Sequence, residues 1–208
     1  TTQIEPHDWI AETCHALIRV NNIVNDLNND MWMYIANDIF ILKTIKDEVG
    51  SSTMPHKVNP IDFENSEGNI GLANSMLNFF AEKLPISRLQ RDLSDSTTLR
   101  NIGVAFGYSV ISYKSTLKGL QKITPNKNKI NEELDNNWIV LSEAVQTIMR
   151  LENIENAYEK LKDLTRGKNL NKEQYLEFIE NLDVTQKNKD YLKSLNPRNY
   201  IGVAPKLK

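Results

Sequence analysis

The chain has 208 residues and a formal net charge of -2, and its 40% hydrophobic and 25% charged residues are ordinary for a globular protein. The near-neutral charge argues against a general nucleic-acid binder, and no apolar run approaches the roughly 18 residues that a membrane span needs. Cys14 is the single cysteine, which excludes an intramolecular disulfide and fits a reducing, cytoplasmic compartment.

The first predicted element is one long helix over residues 9–49, a stretch without proline or glycine. Apolar residues recur along it at helical spacing, at Ile10, Cys14, Leu17, Val24, Met31, Ile35, Leu42, Ile45 and Val49. Further large apolar residues lie off this stripe, at Trp9, Ile23, Leu27, Trp32, Tyr34 and Phe40. A helix this long is stable only when it is packed along its length, so the pattern predicts a bundle buried on several sides in an oligomer.

A glycine ends this helix, and a loop follows over residues 50–60 with the sequence GSSTMPHKVNP. It offers the two hydroxyls of Ser51 and Ser52, the cation of Lys57 and the amide of Asn59. We expect Asn59 to cap the next helix, with a proline at the first helical position. A loop of this composition can close over a carboxylate and place a base beside it. On residue types alone, a plain linker between helices remains the alternative.

The next helix is predicted to run to about Lys83, and a second polar loop follows over residues 87–100. Arginine and hydroxyl side chains suit phosphate or carboxylate binding. The loop offers Arg91, Ser96, Thr97, Thr98 and Arg100. Asp92 and Asp95 could instead neutralise the arginines locally, so residue types leave both interpretations open.

A further long helix is predicted to about residue 123, with a buried side formed by Ile102, Ala105, Phe106, Ser109, Val110, Tyr113 and Leu117. Pro125 marks the boundary between a long-helix domain, 1–124, and a small helical domain, 125–208. Shorter helices are predicted in the second domain at 127–134, 138–152, 154–164, 172–182 and 185–195. No strand is predicted, so the expected fold class is all-α.

The loop over residues 50–60 resembles the signature loop of the fumarase/aspartase superfamily, which has the form GSSxMPxKxNP. The histidine at position 56 resembles the adenylosuccinate lyase branch. Fumarases and aspartases usually carry glycine at this position, and argininosuccinate lyases usually carry glutamine. The segments TTQIEPHD, PIDFENSEGN, LQRDLSDSTTLRN and LKDLTRGK also look like bacterial-type members of that branch. The chain is thus identified as a member of this family.

The resemblance implies a long-helix bundle in a homotetramer whose active sites are shared between subunits. It implies a β-elimination that cleaves adenylosuccinate, and usually also the succinyl-carboxamide ribotide of purine synthesis, with release of fumarate. By position, Ser51 resembles the family's general base, which removes a proton from the substrate. Lys57 and Asn59 resemble the residues that hold the dianion developing from this proton loss, and Ser52 resembles one that contacts the substrate. The matching substrate- and phosphate-binding positions are Gln3, Asn65, Arg91, Ser96, Thr97, Thr98 and Arg100. No cofactor, metal, nucleic acid or membrane partner is expected.

The family's general acid is a histidine on an earlier segment, and none of His7, His15 and His56 lies in that motif. We expect His7 and His15 to be structural or surface residues of the first helix. The chain lacks an initiating methionine and begins abruptly beside a helix, so we expect it to need the N-terminal remainder of a longer polypeptide for activity. Two alternatives are another superfamily lyase, such as an argininosuccinate lyase, and a non-catalytic helical scaffold.

Overall fold

The structure, a computed structural model, describes residues 4–43, 59–90, 92–157, 159, 161–162 and 170–207. It divides into two compact units, Thr1–Asn126 and Lys127–Lys208, which are described separately below. Helices dominate both units, so the predicted all-α fold class is confirmed. The prediction that the chain has no strands is wrong, because the first unit contains a small two-stranded sheet.

In its described residues, the first unit is built around three long helices and the short sheet. Its elements, in chain order, are α1 (Asp8–Ala36), β1 (Phe40–Leu42), α2 (Ile61–Lys83), a 3-10 turn (Arg88–Gln90), α3 (Ser94–Leu99), α4 (Ile102–Lys122) and β2 (Ile123–Pro125). β1 and β2 are antiparallel, with Phe40 opposite Pro125 and Leu42 opposite Ile123. The sheet therefore joins the chain that follows α1 to the end of α4.

The first helix ends much earlier than predicted, at Ala36 instead of Val49. Asp38 adopts a left-handed conformation, with φ of 60°. Its N–H donates to the Ile35 carbonyl (3.1 Å), and the Ile39 N–H donates to the Tyr34 carbonyl (2.9 Å). These two bonds form a Schellman motif, which satisfies the last carbonyls of the helix and turns the chain into β1. Glycine is the usual residue at that position. Because Asp38 occupies it instead, the sequence carries no clear signal for the end of the helix.

The packing of α1, α2 and α4 changes character along the bundle. At one end the buried core is apolar, formed by Ile10, Ala11, Cys14, Ala73, Leu77, Phe80, Ala81, Leu84 and Ala105. Farther along, buried polar side chains replace it: Asn21 donates to Ser109 Oγ (3.1 Å) and Asn28 donates to Ser66 Oγ (2.9 Å). Because the amides of Asn21 and Asn28 have partners on other helices, burial here also sets the register between helices.

The face of α4 that packs inward is lined by small residues instead of large apolar ones. Ala105 and Ser109 are buried as predicted, but Phe106, Val110 and Leu117 are exposed. The prediction was wrong at those three positions because small side chains let α4 approach its neighbours closely, which leaves its bulky side chains outside. On α1, the apolar residues off the main stripe are exposed in the same way, notably Trp9, Ile23, Leu27, Trp32 and Tyr34.

The second unit contains α5 (Lys127–Asp135), a 3-10 turn (Trp138–Leu141), α6 (Ser142–Leu151), α7 (Lys172–Glu180), α8 (Gln186–Ser194) and a 3-10 turn (Ala204–Lys206). The helices predicted at 127–134, 138–152, 172–182 and 185–195 are confirmed to within two residues, with a 3-10 first turn in the second of them. The one predicted at 154–164 lies partly outside the described residues. None of the helices in the described ranges is long and apolar enough to cross a membrane.

Candidate functional site

The structure describes only part of the predicted site. Gln3, Ser51, Ser52, Lys57 and Arg91 lie outside the described residues. The predicted residues that it does describe are Asn59, Asn65, Ser96, Thr97, Thr98 and Arg100. They fall into two sets, one at the start of α2 and the other in and directly after α3.

The first set lies where the chain enters α2. The structure has Pro60, with ψ of 57°, at the N-cap position, and α2 begins at Ile61. The predicted cap at Asn59 is therefore one residue too early, because the non-helical ψ of the proline delays the helix. The Asn59 carbonyl accepts from the Ile61 N–H (2.8 Å), and the Pro60 carbonyl accepts from the Phe63 N–H (3.0 Å). These bonds join Asn59 directly to the first turn of α2.

Asn65 is exposed on α2, but its side chain is held in place by two neighbours. Its Nδ2 donates to Ser115 Oγ on α4 (3.0 Å), and its Oδ1 accepts from Asn69 Nδ2 (3.2 Å). The Ser115 hydroxyl in turn donates to the Asp62 carbonyl (2.8 Å). The amide of Asn65 thus has a defined orientation, set by a residue that lies 50 positions away in the sequence.

The sequence predicted that the second set lies in a loop. This prediction is wrong for most of the set, because residues 94–99 form the short helix α3. Ser96 Oγ donates to the Leu93 carbonyl (3.1 Å), and Thr98 Oγ1, which is buried, donates to the Ser94 carbonyl (3.2 Å). Both hydroxyls donate to backbone carbonyls of α3 or of the residue just before it, and both keep oxygen lone pairs as acceptors. Thr97 is exposed beside them.

Asp92 lies just before this helix and contacts its first residue. Its Oδ1 accepts from the Ser94 N–H (2.9 Å) and from the Ser94 hydroxyl, while its Oδ2 accepts from Arg88 Nε (3.2 Å). These hydrogen bonds hold the pKa of the Asp92 carboxyl well below its usual range, and the bond from the Ser94 hydroxyl has the largest effect. The carboxylate therefore neutralises Arg88. Arg100 is exposed and forms no ion pair with any residue that the structure describes.

A cleft of about 590 Å³ lies between the second half of α2 and α3. Its lining residues are Ser75, Met76, Phe79, Phe80, Lys83, Ser94, Thr97, Thr98 and Asn101. The α2 side supplies aromatic and aliphatic surface, and the α3 side supplies hydroxyls and an amide. A cleft of this kind suits a flat ring with polar substituents. The sequence contains no local signal for the α2 side, because the cleft exists only where two helices meet.

The two sets of predicted residues lie far apart in one chain. From Asn65 to Phe79, which lines the cleft, α2 advances about 20 Å at its rise per residue. The first set is therefore near the start of α2, and the second set is near its end. Within one copy of this chain, the described residues of the two sets therefore lie near opposite ends of α2.

His7 links the segment after Gln3 to α3. Contrary to the prediction, it precedes α1 as the N-cap residue, in a left-handed conformation with φ of 59°. Its Nε2 lies 3.8 Å from Asp95 Oδ2, and its Nδ1 lies 2.6 Å from Glu5 Oε2 without the alignment of a hydrogen bond. His15 is exposed on α1. Among the described residues, no group of three or more His, Cys, Asp or Glu side chains is arranged to hold a metal ion.

Comparison with known proteins gives consistent matches along the chain. Residues 87–201 match the family described as adenylosuccinate lyase C-terminal, and residues 1–73 match the family described as lyase. The chain is similar to adenylosuccinate lyases from Buchnera aphidicola subsp. Schizaphis graminum (57% identity over 207 residues), Escherichia coli strain K12 (56% over 204) and Haemophilus influenzae (56% over 207).

These alignments cover 100%, 98% and 100% of this chain, and 45% of each relative. The chain therefore spans about half the length of the curated relatives that it matches. Within that half, the similarity extends over both compact units.

Proposed function

This chain belongs to the adenylosuccinate lyase family, and on that premise we propose that the complete protein cleaves adenylosuccinate to AMP and fumarate. The observation that carries the proposal is the identity of 56–57% to adenylosuccinate lyases over at least 98% of this chain. The succinyl-carboxamide ribotide is the second proposed substrate, because its succinyl group can leave by the same elimination. The protein would thus act in purine nucleotide biosynthesis, in the cytoplasm.

The elimination begins with the loss of a proton from a carbon next to a carboxylate. In our proposal Ser51 accepts that proton, and the electrons of the broken C–H bond form the double bond of fumarate as the C–N bond breaks. The amino nitrogen of AMP takes a proton from a general acid, which we assign to a histidine outside this chain. Lys57 and Asn59 supply the charge and the amide donor that hold the transient dianion.

A neutral serine hydroxyl is a weak base, so its proton must be held elsewhere before it can act. We propose that the cation of Lys57 favours the alkoxide form of Ser51 and also pairs with the substrate carboxylate. Ser52 would contact the same carboxyl region, and Gln3 the substrate from a second direction.

The nucleotide is assigned to Asn65 and to the residues in and around α3, namely Arg91, Ser96, Thr97, Thr98 and Arg100. Two observations support this assignment. Arg100 is exposed and unpaired among the described residues, so its guanidinium is available to a phosphate. Thr97 lies at the wall of a cleft whose aromatic side suits a purine ring.

We further propose that the complete protein is a homotetramer whose active sites combine residues from different subunits. The distance of about 20 Å along α2 from Asn65 to Phe79, which lines the cleft beside α3, supports shared sites, because one chain holds the two sets near opposite ends of this helix. Large apolar side chains on the outer faces of α1 and α4 support oligomerisation: Ile23 is 72% exposed, Leu117 is 59% exposed and Val110 is 49% exposed.

The proposal is tested by following fumarate release with the complete protein on adenylosuccinate, the succinyl-carboxamide ribotide and argininosuccinate. We expect activity on the two purine substrates and none on argininosuccinate. In Lys57→Met, kcat should fall far more than nucleotide binding weakens, because the lysine acts on charge that exists only in the transition state. Lys129→Met, in an exposed ion pair of the second unit, is the matched control. Activity on argininosuccinate alone, or equal losses in kcat and binding, would contradict the proposal.

A further inference from the structure

One face of α4 makes polar contacts with the first turn of α2. Ser115, Lys118 and Lys122 lie on this face at helical spacing. Lys122 Nζ donates to Asp62 Oδ2, and Lys118 Nζ lies 3.3 Å from Asp62 Oδ1. Ser115 Oγ donates to the Asp62 carbonyl (2.8 Å). Asp62 is therefore held at both its carboxylate and its backbone.

The pair of Asp62 and Lys122 is buried, unlike most ion pairs among the residues that the structure describes. Asp62 is 8% exposed and Lys122 is 6% exposed, whereas the side chain of Lys118 is 56% exposed. Charges withdrawn from water are tolerated only when they are paired and hydrogen-bonded, so each of the two partners constrains the other. The geometry between the end of α4 and the start of α2 is consequently rigid compared with a surface ion pair.

This buried pair lies between two residues of the proposed site. Asp62 follows Asn59 by three positions and precedes Asn65 by three. Asn65 also donates to Ser115 Oγ (3.0 Å), on the same face of α4. The backbone of Lys122 adds a further contact, because its carbonyl accepts from the Lys43 N–H (2.8 Å). Lys122 thus contacts the chain on both sides of residues 44–58, the segment of the sequence that includes Ser51 and Lys57.

We propose that Asp62 and Lys122 are positioning residues of the lyase reaction, which set where Asn59 and Asn65 stand relative to the substrate. Neither residue touches the substrate in this proposal, and both act through the first turn of α2. The inference rests on the proposed function for its catalytic consequence. Its structural part, a fixed first turn of α2, depends only on the contacts with α4.

The test uses the complete protein with Lys122→Met, which keeps the aliphatic length and removes the charge. Displacement of a catalytic group by about 1 Å can cost on the order of 100-fold in rate, so we expect a loss of kcat of that order. KM should rise less than kcat falls, because Asn59 acts on the dianion that forms in the transition state, while Asn65, which is assigned to the nucleotide, keeps its hydrogen bond to Ser115. Lys122→Arg, which keeps the cation, should retain most of the activity, and the control Lys129→Met should match the wild type.

Lys122→Met leaves the Asp62 carboxylate buried without its main partner, which can prevent folding. The double variant Asp62→Asn with Lys122→Met removes both charges and avoids that problem. We expect it to assemble like the wild type and to keep the low kcat. A correctly assembled double variant with the kcat of the wild type would overturn the inference and leave the pair a purely structural role.

Amide hydrogen exchange over residues 59–66, measured without substrate, provides a readout that is independent of the reaction. Exchange should be faster in the double variant than in the wild type and in Lys129→Met. If the wild type released no fumarate from any purine substrate, the proposed function would fail, and the exchange data alone would decide this inference. Unchanged exchange at the start of α2 would then show it to be wrong.

Discussion

At the scale of single residues, small side chains determine how closely α2 and α4 approach each other. A methyl group on Gly119 of α4 would lie 2.8 Å from Phe63 Cζ and 2.9 Å from Phe63 Cε2. Phe63 is 1% exposed, so its ring is surrounded and has little space into which it can move. The glycine is therefore required by the position of the aromatic ring on the neighbouring helix, and not by any special backbone angle.

Gly119→Ala should lower the stability of the protein. Overpacking costs roughly 1–3 kcal/mol, which exceeds the roughly 1 kcal/mol that alanine gains over glycine inside a helix. Gly68→Ala, on α2, is the control, because no atom lies within 4 Å of the added methyl group. The midpoints of thermal unfolding should fall for the first variant and stay the same or rise for the second. A Gly119→Ala protein at least as stable as the wild type would contradict the assigned contact.

At the scale of elements, one carboxylate joins the end of α6 to the beginning of α8. Glu152 accepts from the Thr185 N–H (2.8 Å), from the Thr185 hydroxyl (2.5 Å) and from Asn188 Nδ2. These hydrogen bonds lower the pKa of Glu152 below its usual value, and the bond from the Thr185 hydroxyl has the largest effect. The negative charge also lies at the N-terminus of α8, where the helix dipole favours it.

This contact predicts a pH-dependent loss of stability in Glu152→Gln. The folded-state pKa lies below the unfolded-state value, so the carboxylate stabilises the fold above about pH 4.5 and that contribution is lost as the pH falls further. At neutral pH the variant should therefore unfold at a lower temperature than the wild type, and the difference should shrink in acid. Glu133→Gln, in an exposed pair with Lys129, serves as the comparison. A difference that stays constant from pH 7 to pH 3 would rule out this role of the charge.

At the scale of the whole molecule, α2 keeps the two residue sets of the proposed site apart. Its length is a property of one continuous helix, so no local movement can bring Asn59 and Arg100 of the same chain together. In a closed symmetric oligomer, however, neighbouring copies can bring the start of one α2 beside the α3 of another. Helix length and symmetry are thus the physical basis of the shared active sites that we propose.

Mixing two inactive variants of the complete protein tests this arrangement. Subunits with Asn59→Ala and subunits with Arg100→Ala should each have little activity alone. After subunit exchange, roughly a quarter of the sites would combine an intact residue of each kind, and activity should recover to about that fraction. A mixture of Asn59→Ala with Asn65→Ala should recover no activity. Both residues belong to the set at the start of α2, so each site would receive them from the same subunit. Failure of the first mixture to recover activity would contradict shared sites.

The sequence alone determined those features that depend on neighbours along the chain. Helical periodicity predicted α2 and most helices of the second unit to within a few residues, because each helix is closed by hydrogen bonds between residues four positions apart. The eleven-residue motif over residues 50–60 identified the superfamily, and comparison of the whole chain bears out the branch. Both inferences use information contained in a short stretch of sequence.

The tertiary structure alone decided the features that depend on distant partners. β1 forms because Phe40 meets Pro125, Asn65 is oriented by Ser115, and Asp62 is paired with Lys122. The inward face of α4 was also mispredicted, because its small residues are buried only by the close approach of two other helices. Such contacts join residues 50 or more positions apart, and their free energy comes from burial and pairing between elements instead of from local propensity.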